Sequence, residues 1–149
     1  MISTILVPTD GSKTAQKAGI YAVGLAKQLN ASIIVISVMD KRLQVNRTVP
    51  VGRSQPSVAE SLDDYLRDAA ERYAGAIKKL CEKKDIQSKI VIKPGHPVEE
   101  IVKEAEKSKA DLIVMGSHGL SALAAVALGS VTYGVIHKDT KIPILLVRR

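Results

Sequence analysis

The chain has 149 residues, 46% hydrophobic and 25% charged, enough to bury a core and ordinary for one globular domain. A single cysteine excludes an internal disulfide and a cysteine-rich metal site, and 3% aromatics, with no Phe or Trp, imposes an aliphatic core and counts against reading nucleobases on stacked rings. The net charge of +7 fits a lysine-rich solvated surface, with phosphorylated ligands, nucleic acid and anionic membranes as the partners to weigh.

Residues 2–7 read as a short buried strand stopped by Pro8. From Lys13 to Asn30, apolar Ala15, Ala18, Ala22, Leu25 and Leu29 recur at helical spacing. Ser32 to Val38 is β-branched and continuous, a second buried strand. Residues 39–56 read as a long polar loop whose Lys41, Arg42, Arg47 and Arg53 have no acid between them. Ser57 and Glu60 fit a capping box before a long helix marked by Leu62, Tyr65, Ala69, Tyr73, Ile77 and Leu80. Its early acids (Asp63, Asp64, Asp68) and late bases (Lys78, Lys79, Lys83, Lys84) suit the helix dipole, and Cys81 on it reads as a small buried thiol.

Ile86 to Lys93 alternates as a third strand. Pro97 suits the first position of a helix carrying Val98, Ile101, Val102 and Ala105, with His96 at a surface cap position before it. Asp111 to Met115 is a fourth strand, Gly129 to Lys138 the last helix and Ile142 to Val147 the last strand. His137, near that helix end, suits the dipole. Strands alternate with helices, so the fold class is α/β with a parallel sheet covered on both faces. No apolar run reaches about 18 residues and no leader opens the chain, so the expectation is one cytoplasmic domain over 1–149, with no membrane partner.

The densest chemistry lies at the exit of the fourth strand. Gly116 and Gly119 are followed nine residues later by Gly129 and Ser130. Glycines there permit close backbone approach, and a Gly-Ser helix start directs unpaired N–H groups at an anion. The plain alternative is an N-cap and turn glycines with no ligand. Asp10 and Ser12 in the first turn are both candidate caps for the Lys13 helix. His118 is either a phosphate donor or a solvent-facing loop residue. There is no G-x4-G-K-[ST] phosphate loop and no cluster of histidines or thiols for zinc.

This spacing resembles the G-x2-G-x9-G-[S/T] signature of the universal stress protein family, in its ATP-binding branch. Residues 2–12 resemble the family's first strand and turn, and Ile142 to Val147 its last strand. The resemblance implies an open five-stranded sheet of order 3-2-1-4-5, Rossmann-like and adenine nucleotide alpha hydrolase-like. In that order both glycine-bearing turns leave strands one and four, where the chain reverses and open α/β sheets bind ligands.

It also implies ATP as ligand, with magnesium or manganese accompanying the phosphates. The amides of Gly129, Ser130, Val131 and Thr132 and the hydroxyls of Ser130 and Thr132 would hold phosphate. Gly116 and Gly119 would line the opposite wall. Pro8, Thr9, Val38 and Met115 match positions bordering the nucleotide. Asp10 would accept from ribose hydroxyls or help hold the cation. The expected function is a nucleotide-responsive stress regulator with at most slow hydrolysis, paired as a homodimer through residues 142–147. Two other readings stay open: an ATP hydrolase or adenylate-transferring enzyme, and a nucleic-acid module using the basic 41–53 segment.

Overall fold

The computed structural model describes residues 1–40, 42, 56–119 and 128–149, with side chains from residue 62 onward in the segment that starts at 56. The Ser57–Glu60 box and most of the basic 41–53 segment lie outside the described residues. The elements are β1 (Thr4–Pro8), α1 (Lys13–Leu29), β2 (Ser32–Asp40), α2 (Pro56–Lys83), β3 (Ser88–Gly95), α3 (Pro97–Lys107), β4 (Leu112–Gly116), α4 (Ser130–His137) and β5 (Ile144–Val147). All strand pairs are parallel, in the expected order β3-β2-β1-β4-β5.

Side chains two apart share a face, so each strand feeds two cores. Ile5, Val7, Ile33, Val35 and Val114 pack under α1 and α2 with Ala18, Ala22, Ala74, Ile77 and Cys81. Leu6, Ile34, Ile36, Ile113 and Met115 pack under α3 and α4 with Val98, Ile101, Ala105 and Val135. Because both faces are covered, the strands are continuously apolar. Each fully buried Ile, Leu or Val contributes roughly 1.5–3 kcal/mol by leaving water. Small residues let α1 and α2 close up without aromatics: a Cβ on Gly19 would stand 2.7 Å from Ile77 Cγ1. Cys81 is wholly buried, and that burial pushes its thiol pKa up, as expected for an unreactive core group.

Strand ends differ from the expectation where tertiary contacts extend them. β2 runs on to Asp40 because its ladder with β3 continues to Asp40 opposite Gly95. Pro8 lies inside β1 rather than beyond it. Thr9 N donates to Ile36 O at 2.9 Å, so the N–H that proline lacks would have faced β4, where pairing has already stopped. The β1–β4 ladder holds only Ile5 with Leu112 and Leu6 with Ile113, and is the shortest in the sheet. Beyond it the two strands part, and the crevice between their carboxyl ends opens.

At the opposite end of the same strand pair, Asp111 closes the gap. Its Oδ2 accepts from Ser3 N at 2.8 Å, Ser3 Oγ at 2.9 Å and Thr4 N at 2.9 Å. The Ser3 amide first, then the Ser3 hydroxyl and the Thr4 amide, hold this carboxyl below the usual carboxylate range. A depressed folded pKa means the stabilisation is present above the unfolded value, near 3.9, and is lost as pH falls through the folded value. Asp111→Asn is therefore expected to lower the urea midpoint at neutral pH, with the gap to wild type closing below about pH 4. A gap of equal size at both pH values would show that the charge is immaterial.

Candidate functional site

A cavity of about 400 Å³ opens beyond the carboxyl ends of β1, β2 and β4. That volume suits a nucleotide-sized ligand. Twelve residues were expected at a ligand from sequence. Pro8, Thr9, Asp10, Val38, Met115, Gly116, His118, Gly119, Gly129, Ser130, Val131 and Thr132 all line this one space.

The first turn is built by its own side chains. Asp10 Oδ1 accepts from Ser12 N at 2.9 Å and Thr9 Oγ1 from Gly11 N at 3.2 Å. Gly11 sits at φ +81°, where glycine alone is unstrained, and the Tyr73 ring of α2 occupies the space a Cβ would need. Between the two candidate caps, Ser12 is the one used: its Oγ accepts from Ala15 N at 3.1 Å. Asp10 is left to shape the turn and line the cavity.

The second turn holds α4 onto β4. Gly129 N donates to Ser117 O at 2.8 Å, and Thr132 Oγ1 donates to Gly116 O at 2.9 Å. The Gly129 amide and the Thr132 hydroxyl, both expected at phosphate, are engaged inside the protein in this structure. The amides of Ser130, Val131 and Thr132 precede the first intrahelical bond, Tyr133 N to Gly129 O, at the N-terminal end of α4.

The glycines are explained by packing as much as by a ligand. A Cβ on Gly116 would lie 2.9 Å from the Thr14 carbonyl carbon, so this glycine seats β4 against α1. A Cβ on Gly119 would lie 2.5 Å from Asp10 Oδ2, so the two turns touch at that point. On Gly129 it would stand 3.1 Å from His118 Cα and 3.2 Å from Gly119 N. His118 is half-buried, with Nδ1 in hydrogen-bond contact with the buried Ser117 Oγ at 2.8 Å.

Sequence reasoning missed one wall and one rim. The wall is Tyr65, Leu66, Ala69, Ala70 and Tyr73 of α2, together with Pro97 and Ile101 of α3. Their helical spacing was visible, but nothing local tells which helix overhangs the strand ends. The rim is Asp40 with Arg42. Arg42 Nε donates to Asp40 Oδ1 at 3.0 Å and Nη2 to Oδ2 at 2.7 Å. The guanidinium holds the Asp40 carboxyl below its usual range, and the carboxylate in turn raises the arginine.

The described lining residues include two carboxylates, Asp10 and Asp40, and one guanidinium, Arg42. Among the described residues no group of three His, Cys, Asp or Glu is gathered for a metal.

The model of the Universal stress protein family matches residues 1–148. Universal stress protein MJ0531 of Methanocaldococcus jannaschii is 35% identical over 145 residues, covering 97% of this chain and 81% of that protein. MJ0577 of the same organism is 37% identical over an alignment of 158 residues, covering 100% of this chain and 96% of that protein. Its solved structure superposes with a TM-score of 0.85 at 35% identity, covering 100% and 97% of the two chains. A universal stress protein solved in complex with cAMP superposes at 0.60 with 25% identity, covering 99% and 97%.

Thr132 is 3% exposed, and its hydroxyl is the buried partner of the Gly116 carbonyl. Thr132→Val keeps the shape and removes the donor. It is expected to cost about 1–3 kcal/mol in denaturant unfolding, because the carbonyl is left unsatisfied. An unchanged midpoint would mean that the bond does not hold α4 in place.

Proposed function

This chain belongs to the universal stress protein family, and on that premise we propose that its cavity binds an adenine nucleotide, ATP foremost. The observation that carries this reading is the convergence of two turns: Ser130 to Thr132 at the start of α4 and Asp10 of the first turn line one cavity, together with Val38 of β2. The phosphates take the N–H groups of Ser130, Val131 and Thr132, where the helix dipole adds its partial positive charge. The apolar side chains of Val38 and Met115 border the base, and Asp10 accepts from the ribose hydroxyls. The cAMP complex of a relative supports an adenine nucleotide on this fold.

Magnesium or manganese accompanies the phosphates in this reading. The Asp10 carboxylate repels a polyphosphate, and a bridging divalent cation removes that repulsion. The protein acts as a cytoplasmic nucleotide-responsive regulator in a stress response, with slow hydrolysis at most. Among the described residues no helix is long and apolar enough to cross a membrane.

Two copies pair through β5. This strand is a sheet edge whose Ile144, Leu145, Leu146 and Val147 are only half-buried in one chain. An apolar edge invites a second strand unless it is covered. Native mass spectrometry at micromolar protein should report a dimer, and a monomer at that concentration would overturn the pairing.

Ser130→Pro tests the anion clamp. Proline is accepted at the first position of a helix, and Gly129 already has the extended φ −68°, ψ 156° that a residue before proline prefers. The substitution removes one amide donor and leaves the helix intact. ATP affinity in calorimetry is expected to fall about tenfold, in line with loss of one charge-assisted bond. Ser130→Ala keeps the amide and should bind within a few-fold of wild type. Equal binding by Ser130→Pro and wild type would refute the clamp.

A further inference from the structure

The rim pair Asp40–Arg42 is built with more care than a surface ion pair needs. Ile36, Val38 and Asp40 lie two apart on one face of β2 and climb a single wall, from the fully buried Ile36 to the cavity mouth. At the top the Asp40 carboxylate accepts three N–H groups from one residue: the Arg42 amide at 3.0 Å, Nε at 3.0 Å and Nη2 at 2.7 Å. The Asp40 side chain is 17% exposed and that of Arg42 is 57% exposed. A pair this open adds little to stability. Its geometry is nonetheless specific, because side-on contact through Nε and Nη2 fixes the plane of the guanidinium and leaves its Nη1 edge and faces uncommitted to Asp40.

The sheet places this plane relative to the phosphate end. β1 lies between β2 and β4. Neighbouring strands stand about 4.8 Å apart and β2 runs on past the level where β4 ends, so the tip of β2 is more than about 10 Å from that of β4, where α4 is held. That is the reach from the phosphates of a nucleotide to its base. Arg42 is also the one lysine or arginine among the described lining residues. A guanidinium is planar and weakly hydrated, and it stacks on π faces. In a chain without Phe or Trp it offers a flat, cationic surface at the base end.

Resting on the nucleotide reading above, we propose that Arg42 is a specificity-determining residue that covers the purine base, and that Asp40 is the positioning residue that sets the plane of its guanidinium. The lining has a second carboxylate, Asp10, but its Oδ1 is bound to Ser12 N and its Oδ2 abuts Gly119. It lies in the turn that meets Gly119 and serves the ribose in the reading above, so the two acids serve different parts of the ligand.

The test titrates wild type, Arg42→Ala, Arg42→Lys and Asp40→Asn with Mg-ATP, Mg-CTP and inorganic tripolyphosphate by calorimetry, with thermal melts as a folding control. In the wild type ATP should bind more tightly than CTP, because a purine offers the larger π face. Arg42→Ala should weaken ATP roughly five- to tenfold, narrow the ATP-over-CTP preference, and leave tripolyphosphate unchanged. Arg42→Lys keeps the charge without the plane and should behave like Arg42→Ala for ATP. Asp40→Asn should lower ATP affinity by a smaller factor and leave tripolyphosphate alone.

Equal losses for ATP and tripolyphosphate in Arg42→Ala would make Arg42 a phosphate contact and overturn the proposal. So would full rescue by lysine, or unaltered ATP binding in the alanine variant. Failure of the wild type to bind ATP at all would instead remove the nucleotide reading and this inference with it.

Discussion

Two hydrogen bonds at the exit of β4 decide whether there is a site. The carbonyls of Gly116 and Ser117 accept from the Thr132 hydroxyl and the Gly129 amide. They fasten the first turn of α4 to the end of a central strand. The fastening in turn sets the first turn of α4, with Ser130, Val131 and Thr132, at the cavity, and a helix cannot satisfy its own first N–H groups. Ser117 N is tied to Val147 O at 2.9 Å, so the strand end itself is anchored to β5. Close contact makes small residues necessary here. Side chains at 116, 119 or 129 would force apart α1, Asp10 or the His118 backbone. A glycine pattern that looks like accommodation of a ligand is at least equally accommodation of the protein by itself.

The electrostatics of the cavity follow from which elements end there. Strand tips and turns bring carboxylates; the helix start brings partial positive charge from oriented amides. The two are separated across the sheet, with the Asp40–Arg42 pair on the β2 side and α4 on the β4 side. A ligand that is anionic at one end and flat at the other matches that polarity. Asp40 neutralises the lining guanidinium, so the cavity's charge is set by its arrangement more than by its sum. The +7 of the whole chain says little about it.

Much of this was legible before any fold was known. The alternation of continuous apolar strands with amphipathic helices fixes an α/β sheet, since each periodicity suits one kind of element. Ser12 and Pro97 announce helix starts through local chemistry that operates in any surroundings. The four-point spacing from Gly116 to Ser130, read with the family resemblance, brought twelve residues to one list, and all twelve line one cavity. Nothing in the spacing shows that the Gly129 amide turns back to Ser117.

Helix type, strand type and turn chemistry are properties of neighbouring residues, and the chain carries them wherever it goes. Which helix overhangs the strand ends is not such a property. The wall made by Tyr65, Ala69 and Tyr73, the seat of Tyr73 on Gly11, and the extension of β2 to Asp40 all come from partners distant in sequence. The crevice itself exists because the ladder between β1 and β4 stops after two pairs, so that strands that begin side by side finish apart. Local pattern names the pieces, and only packing across the sheet turns them into a space with two chemically different ends.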